Sequence, residues 1–277
     1  MYQSSGGLRD LPPMRESSGA PPEAAARLAL DRVRQALTAH VAGPRLDPGR
    51  LLQNLASAPT PPGREAERTL ASGWLRWLAG NPAVAEPLLA EAARLARLQE
   101  GAPLLAEAAY WLGRVRVLLG RPEAISEYET ALKETRGAPQ AVAWLVDLLW
   151  RSGRVDRADQ VWKSVRGNKK VTACDEGPLL EARTLLRRGE AAPAERLLNE
   201  AAPGGGVVQV DRRLLLAWTY TTLKQYDRAR EHFDAALEGP YPATALAHWR
   251  SLLEKRRSGA PATPEEAGRP PALAALL

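Results

Sequence analysis

Apolar residues recur along this chain at helical spacing, and the recurrence itself repeats. Five times a small residue is followed by a large apolar one four positions on and a small one three further. The sets are Ala85–Leu89–Ala92, Ala124–Tyr128–Ala131, Ala158–Trp162–Val165, Ala194–Leu198–Ala201 and Ala229–Phe233–Ala236. Steps of i, i+4 and i+7 put all three on one face of a helix. The first members stand 39, 34, 36 and 35 residues apart. A turn signal precedes each by four or five residues: Gly80–Asn81–Pro82, Gly120–Arg121–Pro122, Ser152–Gly153, Gly189 and Lys224–Gln225–Tyr226–Asp227. Gly there suits a helix C-cap, and Pro suits the first turn of the next helix. Before each turn lies another apolar helical stretch. The predicted unit is helix, short turn, helix, over about 34 residues. Each unit leaves an apolar face that only a stacked neighbour covers.

The second unit carries the fullest pattern: Ala109-Tyr110-Trp111-Leu112-Gly113, then Gly120, then Ala124, Tyr128 and Ala131. On these residues the chain resembles the tetratricopeptide repeat family. The resemblance puts Leu112–Gly113 where the first helix needs a small residue for close approach, and the alanines where the two helices cross. Tyr220 matches the family's first-helix aromatic in the fifth unit, and Pro139, Pro203 and Pro240 sit near unit ends. The chain departs from the pattern at Ala109, where the family carries Trp, at Val146 for the Gly and at Val165 for the last Ala. The resemblance implies an all-α fold, a right-handed superhelical solenoid with five repeats over residues 64–241. Armadillo and HEAT solenoids have periods of about 40 or more. Only the first spacing leans that way, and a longer loop between Gln99 and Leu104 accounts for it.

The flanks read differently. Residues 1–21 are polar and predict a disordered tail. Residues 22–58 predict a helical pair: one helix from Glu23 to Val41, and a second opened by an Asp47 N-cap and Pro48. Leu51, Leu55 and Ala58 repeat the triplet spacing with a bulky first member. This pair is either an N-terminal cap or a degenerate sixth unit. Residues 242–257 predict a closing helix, as a solenoid end requires. Residues 258–277 are a Pro/Ala-rich tail with an apolar end.

Composition narrows the class. Of 277 residues 45% are apolar, enough for a core, and one Cys cannot pair within the chain. No apolar run approaches the ~18 residues of a membrane span. The first residues lack the apolar core of a secretory signal, which points to the cytoplasm. Arg over Lys, with abundant Ala and Leu, points to a GC-rich bacterial genome. The net charge is +6 and the pI about 9.7. The basic pairs Lys169–Lys170, Arg187–Arg188 and Arg212–Arg213 are scattered, as on solvated helix faces, so nucleic acid is not the expected partner.

Signs of catalysis are sparse. Gly204–Gly206 lacks the Gly-Lys-Ser/Thr of a phosphate loop. His40, His232 and His248 have no ligand spacing to one another or to Cys174. Cys174 follows Lys169–Lys170, which could activate it, although a lone Cys there reads better as inert. No catalytic residue, metal or cofactor is expected, and the chain reads as a non-enzyme.

A stacked array offers its first helices as a concave surface. By phase, that face carries Trp74, Trp77, Tyr110, Arg114, Asp147, Trp150, Arg183 and Trp218. Trp, Tyr and Arg are the types enriched at binding hot spots. The face reads as an apolar groove with two basic points, Arg114 and Arg183. Reversing their charge should weaken partner binding and leave melting unchanged. Members of the family that clamp a terminal carboxylate use Asn and Lys on this face, and the matching positions here hold neither. The expected function is a protein-binding scaffold that holds a peptide or protein in the groove. The alternative is a regulatory or sensor module acting with a separately encoded effector, in which the high pI would serve contact with nucleic acid.

Overall fold

The computed structural model describes residues 22–38, 47–99, 101–134, 139–201 and 206–238, and a few positions between 246 and 258. The described chain is all-helical, with thirteen helices and no strand among the described residues. An initial pair, α1 (Pro22–Thr38) and α2 (Pro48–Ser57), packs on α3 (Glu65–Leu78). Then come α4 (Pro82–Leu98), α5 (Ala102–Leu118), α6 (Ala124–Glu134), α7 (Pro139–Arg151) and α8 (Val155–Val165). A single-turn helix, α9 (Lys169–Thr172), precedes α10 (Gly177–Arg187), α11 (Ala191–Glu200), α12 (Gly206–Thr222) and α13 (Tyr226–Leu237).

The five predicted units are the pairs α3/α4, α5/α6, α7/α8, α10/α11 and α12/α13. Each pair is joined by the same turn. Gly80, Gly120, Gly153, Gly189 and Lys224 occupy equivalent places, all with positive φ. At each, the left-handed residue donates to a carbonyl three back, and its successor donates to one five back. Gly120 N to Val117 O is 3.1 Å and Arg121 N to Arg116 O is 2.8 Å. Lys224 N to Thr221 O is 3.1 Å and Gln225 N to Tyr220 O is 2.8 Å. These paired bonds satisfy carbonyls that a helix end otherwise leaves open. Four of the five turns use Gly because the left-handed region costs a side-chain-bearing residue roughly 1–2 kcal/mol.

The triplets fill the interior. Ala85, Leu89, Ala92, Ala158, Ala194, Leu198 and Ala236 are wholly buried, and Tyr128, Trp162 and Phe233 nearly so. Val165 and Ala201, last in their sets, are half-buried. Small residues also let helices approach. A Cβ on Gly113 would lie 2.8 Å from Leu148 Cδ1, so α5 meets α7 at the position where the family pattern asks for a small residue. The first helices touch in series: α1 with α3, α3 with α5, α5 with α7, α7 with α10, and α10 with α12.

At the N-terminal pair, the Asp47 carboxylate accepts from Arg50 N at 3.0 Å, as an N-cap should. Leu30, Val33, Leu37 and Leu55 join the same core as the five units. The closing helix expected at 242–257 falls largely outside the described residues, although Leu246 is helical and buried. The tails at 1–21 and 259–277 lie outside them too.

Candidate functional site

Of the residues that phase assigns to the first-helix face, Trp74, Trp77, Tyr110, Arg114, Asp147 and Arg183 come together, but the eight lie deeper than an open groove requires. All but Trp218 are buried, and Trp218 is half-buried. At their centre stands Asp147 on α7. Its Oδ1 accepts from Arg183 Nη1 of α10 at 2.6 Å, and its Oδ2 accepts from the Tyr110 hydroxyl of α5 at 2.8 Å. Arg151, one turn along α7, bonds the same Oδ2 and reaches Asp211 Oδ2 of α12 at 2.8 Å. Arg114 of α5 lies 3.7 Å from that Asp211 oxygen and donates to the Tyr110 hydroxyl at 3.3 Å. The result is a buried ladder of three arginines and two aspartates across four first helices.

The ladder corrects one expectation. Arg114 and Arg183 are not free basic points on an apolar groove, because Asp211 and Asp147 neutralise them. Burial alone would raise the Asp147 carboxyl. Arg151, Arg183 and Arg114 overcome that and hold it well below the usual carboxylate range. Reversing either arginine would set an anion beside a buried carboxylate, so melting would not stay unchanged.

Beside the ladder runs a chain of aromatic rings. Trp74 stacks on Trp111 at 4.3 Å between centroids, Trp111 meets Tyr110 at 5.3 Å, and Tyr110 stacks on Trp144 at 4.8 Å. Trp77 meets Trp111 at 5.3 Å. The Arg114 guanidinium sits over this group, 5.1 Å from the Trp77 ring and 5.0 Å from Trp111. These are cation–π distances. The indoles therefore join successive first helices as well as facing inward.

The ring chain and the ladder wall a cavity of about 290 Å³. Trp74, Tyr110, Arg114 and Asp147 line it. Trp77, Trp150, Arg183 and Trp218 do not. The lining also includes residues absent from the phase-based set: Arg34 of α1, Glu107 of α5, Gln140 and Trp144 of α7, Asp175, Glu176, Val208 and Asp211. Arg34 is spent on Glu107, at 2.8 Å.

Glu176, at the start of α10, is the unusual member. It is buried. Its Oε1 accepts from Trp144 Nε1 at 2.7 Å, while Oε2 has no hydrogen-bond partner. Burial pushes its carboxyl up from the ordinary 4.5 to about 7; the Trp144 bond opposes the rise, and Asp147 and Asp175 add to it. Trp74 Nε1 is likewise buried without a partner.

The other candidates lie apart. Burial raises the Cys174 thiol, and Glu176 and Asp175 raise it further, so the neighbouring lysines do not activate it. The His232 ring stacks on Tyr220 at 5.2 Å, and burial lowers its pKa. His40 and His248 lie outside the described residues. Two of the basic pairs are tied into the structure. Arg187 bonds Asp159 at 2.6 Å, and Arg212 donates to the Leu198 carbonyl at 2.6 Å.

Of the residues that phase misses, two carry a sequence signal. Arg151 follows Asp147 by four, and Asp211 precedes Leu214 by three, one turn along the same face. No described helix is long and apolar enough to cross a membrane. Compared with known proteins, the chain matches no family model, no curated protein and no solved structure.

Proposed function

We propose that the chain is a non-enzymatic scaffold of tetratricopeptide type, a right-handed solenoid that binds a peptide or protein partner along the concave face of its first helices. The observation that carries this reading is the shared cavity. Helices α1, α3, α5, α7, α10 and α12, far apart in sequence, each contribute side chains to one recess. Ligand sites combine such aromatic walls with a few fixed polar groups. The repeated left-handed turn and the serial contact of first helices support the solenoid.

The buried ladder has a place in this reading. It fixes the spacing of α5, α7, α10 and α12, so the recess is formed before a partner arrives. A preformed site spends less of its binding energy on ordering. Gln140 is exposed and lines the recess. Gln140→Trp should block it, and Gln140→Ala should not. Partner recovery lost in the first variant and kept in the second, with equal thermal unfolding, supports the groove. Equal recovery by both contradicts it.

A further inference from the structure

The cavity has an unbalanced charge. Of its carboxylates, Glu107 is spent on Arg34, Asp147 on Arg183 and Arg151, and Asp211 on Arg151 and Arg114. Glu176 and its neighbour Asp175 line the same recess, and neither has an ion pair among the described residues. Glu176 is 9% exposed, and its Oε2 lacks even a hydrogen bond. A buried carboxylate oxygen left bare is costly. The ring chain runs from Trp74 to Trp144, whose indole holds the other oxygen of Glu176. These rings already accept one guanidinium, that of Arg114.

We infer that the recess takes one cationic side chain, an arginine or lysine of an extended peptide, with its charge against Glu176 and Asp175 and its stem along the Tyr110–Trp144 rings. The inference rests on the groove reading and gives its ligand a chemistry. A charge-assisted bond to Glu176 is stronger than a neutral one, and the ring faces add cation–π attraction. The orphan indole of Trp74 is a donor and calls for an acceptor. A peptide supplies both, a cation and main-chain carbonyls, whereas a free amine supplies only the first. A metal ion suits the recess less well. Among the described residues no group of three or more His, Cys, Asp or Glu is placed to hold one.

The test is calorimetric titration of the full chain with capped Gly/Ser peptides carrying one central arginine, lysine or citrulline, and with n-propylguanidine as a free monocation. Citrulline has the shape of arginine without its charge. The arginine or lysine peptide should bind about tenfold more tightly than the citrulline peptide. Glu176→Gln should erase that preference while keeping the fold, because Gln still accepts from Trp144 and carries no buried charge. Equal binding of charged and neutral peptides overturns the inference and leaves the groove reading standing. So does a preference that survives in Glu176→Gln. Propylguanidine binding as tightly as the arginine peptide overturns the peptide source and leaves the groove reading to the Gln140 variants. Failure of every cationic probe overturns the inference outright.

Discussion

Arg183 of α10 and Asp147 of α7 meet at 2.6 Å, 36 residues apart in sequence and with both side chains buried. Each sits on the first helix of its unit, so the bond joins equivalent positions of two neighbouring units. Removing the carboxylate would take from Arg183 its ion pair and leave Arg151 with Asp211. Asp147→Ala should lose about 3–5 kcal/mol in chemical denaturation. A loss below about 1 kcal/mol would mean that the ladder is not closed in solution.

The first Ala of every triplet is buried. Ala158 of α8 is wholly buried. Ala158→Glu places an unpaired charge between α7 and α8 and should cost several kcal/mol, about the range for such burial. Thermal unfolding at the wild-type temperature would show that the helix phase is wrong.

Close approach of α5 and α7 rests on Gly113. Elsewhere in a helix Gly→Ala gains about 1 kcal/mol. Here the added methyl would meet Leu148, which is itself fully buried and has little room to move. Gly113→Ala should therefore lose about 1–2 kcal/mol from overpacking. Pairing it with Leu148→Val should recover part of that loss, a non-additivity that two independent sites would not show.

Glu176 makes stability depend on pH with a definite sign. Its carboxyl is raised by burial from 4.5 to about 7. Trp144 and Asp147 on α7, Tyr110 on α5, Tyr128 on α6, and Cys174 and Asp175 beside it are the groups it interacts with. Below pH 4.5 both folded and unfolded chains hold the proton, and its burial carries no charge penalty. Between 4.5 and about 7 the unfolded chain ionises first, and above about 7 the penalty is complete. Relative to Glu176→Gln, the wild type should lose about 3 kcal/mol as pH rises through that window. Parallel stability curves for the two proteins would remove Glu176 from the buried site.

The turns and the triplets are legible in the sequence because each obeys a local rule. Gly at 80, 120, 153 and 189 marks the left-handed C-cap, and even Lys224 is found by its place in the beat. Ala158 and Trp162 are marked by size and period together. The site is legible only in part. Period assigns Asp147 and Arg183 to the first-helix face but says nothing of depth. A charged residue there reads as a contact for a partner until its counterion is known, and Asp211 lies 64 residues beyond Asp147. Glu176 sits at the entry to α10, outside any periodic stretch, and what makes it notable is the surrounding aromatic wall. The single turn of α9 is too short to carry a period.

The central claim is that the recess of the first helices, and not the outer face, holds the partner. The most direct measurement places a photo-crosslinking residue at Gln140, exposed at the recess, and separately at Arg230, exposed on α13, and identifies the adducts formed in the cell. Gln140 should yield one dominant protein adduct that Arg230 does not. The same adducts from both positions, or none from Gln140, would contradict the account.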